Sequence, residues 1–342
     1  MRALRAGFAL LLALAPASSA LAQPAGAPVP PLNLAITRDT RLLVIAPHPD
    51  DDVLGAGGLI RRVISAGGSV RVVWMTSGDG FPEGVETSEG IAHSAAHLTP
   101  RDFQEYGALR EQEARAALES LGVSPHSLTF LGFPDEGLCE LASTYLSAKA
   151  QAFKSPYTSR ISPPLTEQVI RGVRYRGTDV RRELERVLVS FAPTLIAASH
   201  PEDQHPDHCS THIFLKDALD ALARTGRARP RMLQYLVHYG QWPLAGDDAS
   251  KSALLPPRDF PPLEGRWASF ALTPEETGAK RAALLLYHSQ MLVIGRFLLA
   301  FARSNELFLE GEPASLPECW CNGQNVATEA PPSRYRHQPP RR

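Results

Sequence analysis

Short apolar runs alternate with helix-patterned stretches along this chain, and that alternation narrows its possible architectures more than any other feature. Leu42–Ala46, Val70–Met75, Leu128–Leu131, Thr194–Ala198 and Met232–Val237 each read as a buried strand. Helical signatures lie between and after them. Thr99-Pro100-Arg101-Asp102 is a capped start, with proline at the first helical position and an acid in the first turn. The helix it opens runs to Leu121 and ends at Gly122. Val180, Leu184, Val187, Leu188 and Phe191 share one helical face, and Thr273-Pro274-Glu275-Glu276 opens a late helix through Leu284 to His288. Apolar strands separated by helices belong in a sheet covered on both sides. The expected fold is α/β, a Rossmann-like, mostly parallel sheet with helices on both faces. Phe81–Leu98, Cys139–Gly177 and Gln241–Phe270 break the alternation and are expected as long insertion loops.

The two ends of the chain have a different character. Arg2 and Arg5 precede an apolar stretch from Ala6 to Ala15, and Ala20-Leu21-Ala22 is a small-x-small cleavage site. Residues 1–22 therefore read as a signal peptide, 23–38 as a leader segment, 39–322 as one folded domain and 323–342 as a disordered tail. The apolar stretch is too short to span a bilayer stably, so a secreted or periplasmic protein is expected after cleavage near Ala22. A formal net charge of −1, with no sustained basic stripe, gives no reason to expect nucleic acid as a partner. Cys139 and Cys209 stand isolated while Cys319 and Cys321 flank Trp320. At most one peripheral bridge is expected of these four cysteines.

Two polar clusters punctuate strand ends. His48-Pro49-Asp50-Asp51-Asp52 follows the first apolar run, and Ser199-His200-Pro201-Glu202-Asp203-Gln204-His205-Pro206-Asp207-His208 follows the fourth. His205-Pro206-Asp207-His208 repeats the layout of His48-Pro49-Asp50-Asp51, with proline at the first helical position projecting residues three apart from one turn. Open α/β sheets place ligands at strand exits, so the two turns are expected to converge. So much charge in one place needs a cation or a substrate to compensate it. His48, Asp51 and His208 supply the mixed nitrogen and oxygen set of a catalytic zinc site with an open position. Fe²⁺ and Co²⁺ are compatible with the same donors. Asp50 and His205 remain close by, free to move protons or hold charge.

The ordered set of motifs closely resembles the PIG-L/LmbE-like zinc deacetylases. Beyond the two clusters it includes Thr76-Ser77-Gly78-Asp79, Arg110-Glu111-Gln112-Glu113-Ala114, Gly132-Phe133-Pro134-Asp135 and Tyr287-His288-Ser289-Gln290. Asp52 departs from the family, which commonly has Glu there. The resemblance implies removal of an acetyl group from an N-acetylglucosamine-type glycan, conjugate or glycolipid. It implies zinc on His48, Asp51 and His208, with Asp50 as the general base that activates the metal-bound water. It further implies that His205 polarises the tetrahedral intermediate, that Asp207 orients His205 and favours its charged form, and that Arg110 and Asp135 contact the sugar.

Each assignment has a plainer competitor. Asp207 could be a helix cap, Arg110 a surface partner of Glu113, and Asp135 a turn former after Pro134. His93 and His97 are expected as solvated histidines, Trp242 and Trp267 as packing under a long loop, and Cys209 as a buried apolar group. Gly55-Ala56-Gly57-Gly58 lacks the spacing of a dinucleotide loop, and the acids before it would repel a pyrophosphate. A non-catalytic sugar-binding protein would not need Asp50 and His205. The same metal chemistry on another amide, such as a thiol conjugate, stays open, because rim loops rather than the metal centre choose the substrate.

Overall fold

The computed structural model describes residues 29–88, 97–243, 252–260 and 266–310. The expected signal peptide and tail, His93, Cys319 and Cys321 lie outside the described residues. Strands β1 (Arg41–Ala46), β2 (Ser69–Thr76), β3 (Leu128–Phe133), β4 (Leu195–Ser199), β5 (Arg231–Tyr235), β6 (Arg266–Ala271) and β7 (Asn305–Glu310) form one sheet. Its order is β3-β2-β1-β4-β5-β7-β6. The first five strands pair in parallel, and β7 pairs antiparallel with both β5 and β6. The chain moves outward from β1 to β2 and β3, then returns to β4 on the other side of β1. The β1/β4 boundary is thus the point where strand order reverses, where sheets of this kind open a crevice.

Both faces are buried, as the strand composition demands. Leu42, Val44 and Ala46 pack into one core while Leu43 and Ile45 pack into the other. The first core lies under α1 (Asp51–Ser65), α3 (Pro100–Ser120), α7 (Pro274–Leu284) and α8 (His288–Leu299). The second lies under α4 (Leu138–Ala142), α5 (Gly177–Phe191) and α6 (Pro206–Ala223). Thr99 caps α3 through a reciprocal capping box with Asp102, and Thr273 does the same for α7 with Glu276. None of the helices among the described residues is long and apolar enough to cross a membrane.

Several expectations change. The stretches expected as loops contain helix α2 (Pro82–Thr87), helix α4 and strand β6. The late helix stops at Leu284, and Tyr287 is the N-cap of the separate α8. Strand β7 went unread because Glu306 interrupts its apolar pattern. That carboxylate is buried, 2.7 Å from Lys280 Nζ, and accepts the N–H groups of Gly58 and Leu59 at 2.7 and 2.9 Å. Trp267 is core, as expected. Cys209 is buried, as expected, and both it and Cys139 are disulfide-bonded.

Candidate active site

Strand β1 delivers its chain to a strained turn. Asp50 is the N-cap of α1 with φ 118°, a conformation unfavourable for any residue but glycine. Pro49 therefore precedes the cap, whereas Pro206 opens α6 at its first turn with His205 as N-cap. The two motifs match in sequence but not in backbone. Three hydrogen bonds hold the first turn: Arg110 donates to Pro49 O at 2.6 Å and to Asp50 Oδ2 at 3.2 Å, and Asp52 Oδ1 accepts the Asp50 N–H at 3.2 Å. Asp52 also accepts from Trp74 Nε1 at 2.9 Å and the Tyr287 hydroxyl at 3.2 Å, so it serves as support.

The convergence expected at the strand exits is present. Asp51 Oδ2 lies 3.1 Å from His48 Nδ1 and 3.1 Å from His208 Nε2, all in buried surroundings. The far nitrogen of His48, Nε2, faces Asp135 Oδ1 at 3.0 Å and Asp207 Oδ2 at 3.4 Å. The far nitrogen of His208, Nδ1, faces Asp203 Oδ2 at 3.2 Å. Two imidazoles thus each turn one nitrogen toward Asp51 and the other toward a carboxylate, the arrangement by which metal-ligating histidines are oriented.

The contacts of four expected site residues are made largely within the protein. Asp207 does not pair with His205 through its carboxylate, because both of its oxygens accept backbone N–H groups, Glu136 at 2.7 Å and Leu138 at 3.0 Å. Its own N–H instead donates to His205 Nδ1 at 3.2 Å, an N-capping contact. His205 is not favoured in its charged form: burial and the neighbouring His48 and His208 hold its pKa well below the ordinary value. Arg110 spends its guanidinium inside the protein, on Gly78 O at 2.8 Å, Pro49 O and Asp50, rather than reaching outward. Asp135 likewise accepts from Gly80 N at 2.6 Å while facing His48. Both still line the pocket.

Asp203 and His238 are the residues sequence reasoning passed over. Asp203 is fully buried and accepts the N–H groups of Val237, His238 and His205, at 2.8, 3.0 and 3.1 Å. It thereby ties the β4 turn to the β5 exit. His238 follows β5, and its ring packs 4.7 Å from His208 and 5.2 Å from His205. Its position just past a neighbouring parallel strand was the available signal. His200 is buried against Phe260 and supports the loop, accepting the Glu202 N–H.

The electrostatics of the cluster follow from burial set against its charges. Burial lifts Asp50 to about 7, with Arg110 opposing and Asp51 adding to the rise. Burial would raise Asp51 as well, but His208 and His48 outweigh it and hold that carboxyl well below its usual range. Burial disfavours charge on His208, yet Asp203 and Asp51 push the ring up to about 9. Neither nitrogen of His208 makes a hydrogen bond of acceptable geometry despite these close carboxylates, and the ring is wholly buried. An orphaned imidazole aimed at an anionic carboxylate fits a divalent cation. Donor groups cluster within 4.8 Å as His48/His205/His208, Asp51/His208/His238 and His48/Asp135/Asp207. Asp51 links the members of the expected set, His48 and His208, and nitrogen and oxygen donors of this mixture suit zinc. The pocket above them has a volume of about 250 Å³. Asp50, Asp51, Asp135 and Arg110 line it together with Phe81, Ile294 and Phe297.

A family profile described as PIG-L, GlcNAc-PI de-N-acetylase, matches residues 43–219. The chain is 30% identical over 187 residues to the 1D-myo-inositol 2-acetamido-2-deoxy-alpha-D-glucopyranoside deacetylase of Rhodococcus opacus, covering 54% of each chain. It thus spans about half the length of that relative. Against the Streptomyces griseus protein of the same name it is 28% identical over 299 residues, 82% of each chain. The zinc-inhibited form of teicoplanin deacetylase has the same fold, with a TM-score of 0.51 at 18% identity over 81% of this chain and 99% of that one.

Proposed function

This chain belongs to the PIG-L family of GlcNAc-PI de-N-acetylases, and from that membership we propose that it is a metal-dependent N-deacetylase of an N-acetylglucosamine-type substrate. One observation carries the proposal. Turns from two strands on either side of the sheet's reversal point bring His48, Asp51 and His208 together, with Asp50 beside them in the pocket. The relatives support the substrate class, being named as deacetylases of a 2-acetamido-2-deoxy-glucopyranoside.

His48, Asp51 and His208 would hold a divalent ion, which would supply Lewis acidity toward the acetamide carbonyl and toward water. Zinc is the first candidate, and Fe²⁺ or Co²⁺ suits the same donors. The chain's own groups do the rest. Asp50 takes a proton from the attacking water and later gives it to the departing amine, a double task suited to a carboxyl near neutrality. Arg110 and the Asp52 carboxylate fix the turn from which Asp50 works. His205 Nδ1 accepts the Asp207 N–H, so the neutral ring carries its proton on Nε2 and donates it as a hydrogen bond to the carbonyl oxygen as charge develops there. Acetate and a free amine are the products. Export, proposed from the signal-peptide pattern of residues 1–22, is supported by the disulfide-bonded state of Cys139 and Cys209, which suits an oxidising compartment.

The test is amide hydrolysis, read as acetate from N-acetylglucosamine glycosides and a glycolipid and as free amine from a thiol-conjugate amide, before and after chelation and with zinc restored. Metal-dependent release from an N-acetylglucosamine substrate is expected. Release from the thiol conjugate alone moves the activity to another amide, and no release from any of them overturns the proposal.

A further inference from the structure

The pocket's most obvious polar groups are already engaged within the protein, which leaves open what recognises the sugar. Arg110 is committed to Gly78 O, Pro49 O and Asp50, and Asp135 to Gly80 N and His48. One pocket-lining carboxylate differs from these. Glu136 has one oxygen, Oε2, held by the hydroxyl of Tyr157, while Oε1 has no hydrogen-bond partner among the described residues. Resting on the deacetylase reading above, we infer that Glu136 is a specificity-determining residue whose Oε1 accepts a hydrogen bond from a neutral ring hydroxyl of the amino-sugar substrate.

The backbone is built to aim this side chain. Glu136 has φ 54°, left-handed and uncommon for a residue of its kind. It is held there because its N–H donates to Asp207 Oδ2 at 2.7 Å and to Asp135 Oδ1 at 3.0 Å. The same two carboxylates face His48 Nε2, so the recognition group and the metal-binding histidine share one scaffold. Tyr157 comes from the long segment between α4 and α5. Its ring is buried in a small cluster with Val85, Phe103 and Tyr106, 5.2 Å from the Phe103 ring. A buried aromatic whose hydroxyl clamps one carboxylate oxygen restricts the side chain and leaves the second oxygen available to a ligand in the pocket that Glu136 lines. That gives the long insertion a task at the site. A carboxylate among Asp50, Asp51 and Asp135 also repels anionic substituents, so hydroxyls are expected there rather than phosphate or carboxylate groups.

Removing a substrate hydroxyl that donates to a carboxylate costs the complex one charge-assisted hydrogen bond, about 1.5–3 kcal/mol, which corresponds to roughly a tenfold loss or more. The experiment compares methyl N-acetylglucosaminide with its 3-, 4- and 6-deoxy analogues on zinc-loaded wild type, Glu136→Gln, Glu136→Ala and Tyr157→Phe, with thermal melts to show that each variant folds. Wild type is expected to lose at least about 10-fold in kcat/KM, mainly through KM, on one deoxy analogue. Glu136→Ala loses a similar factor on the parent sugar and none further on that analogue, and Tyr157→Phe falls between. Equal losses on every analogue, or undiminished discrimination in Glu136→Ala, overturn the inference while leaving the deacetylase reading intact. Titration of the same sugars onto Asp50→Asn protein reads binding without turnover. If wild type releases no acetate, the deacetylase reading fails, and selective loss of binding on one deoxy sugar, abolished by adding Glu136→Ala, still upholds the role of Glu136. Uniform or absent binding there overturns it.

Discussion

Asp50 sits in a backbone conformation that costs on the order of 1–3 kcal/mol. It persists because Arg110, the Asp52 carboxylate and the start of α1 all hold it. The strain is therefore tied to one arginine from a distant helix, and Arg110→Met is expected to cut turnover at least about 10-fold while leaving metal content near that of wild type. Elemental analysis beside an acetate assay checks both parts, and unchanged turnover would detach Arg110 from Asp50. At this scale the sequence exposed what is local and hid what is not. His48, Asp50, Asp51 and His208 could be read because each motif is contiguous. Asp203, His238 and the true partners of Asp207 could not, because their contacts are set by how β4, β5 and the β3 exit lie together.

Between elements, Gly78 follows β2 at φ 63°, and a side chain there would run into the Arg110 guanidinium. Gly78→Ala should reproduce much of the Arg110→Met defect, with retained fold by circular dichroism; full activity would show that the turn adjusts freely. One strand in from the far edge of the sheet, Phe308 on β7 is wholly buried in the core that also holds α1 and α8 side chains. Phe308→Ala is expected to lower stability by about 3–5 kcal/mol, measured by urea unfolding. A loss below about 1 kcal/mol would mean that this antiparallel edge is a poorly packed appendage. The parallel half of the sheet was legible because its strands are apolar on both faces, as Leu42 to Ala46 illustrate. The antiparallel half was not, because β7 carries a buried Glu306 and β6 follows a proline-rich stretch.

For the molecule as a whole, stability is expected to depend on pH and on metal. His200 and His212 are buried, and burial lowers them to about 3 and about 4. In the unfolded chain each protonates near 6.5, so below that pH the unfolded state binds more protons. The stability of keeping these rings neutral is present above about 6.5 and lost as pH falls toward about 4. Denaturation midpoints should fall across that window, and His212→Gln should flatten the fall; an unchanged slope would remove His212 from the acid limb. Metal works in the opposite sense, since an ion that binds only the folded protein stabilises it by about 4 kcal/mol at a thousand times its Kd. Chelation is expected to lower Tm and zinc to restore it, read by calorimetry. The most direct measurement of the central claim pairs zinc content with acetate release from an N-acetylglucosamine glycoside in wild type, Asp50→Asn and His208→Ala. The expected result is zinc retained but turnover down about 10²–10⁴-fold in Asp50→Asn, and zinc itself lost in His208→Ala. Full turnover in Asp50→Asn, or full zinc in His208→Ala, would contradict it.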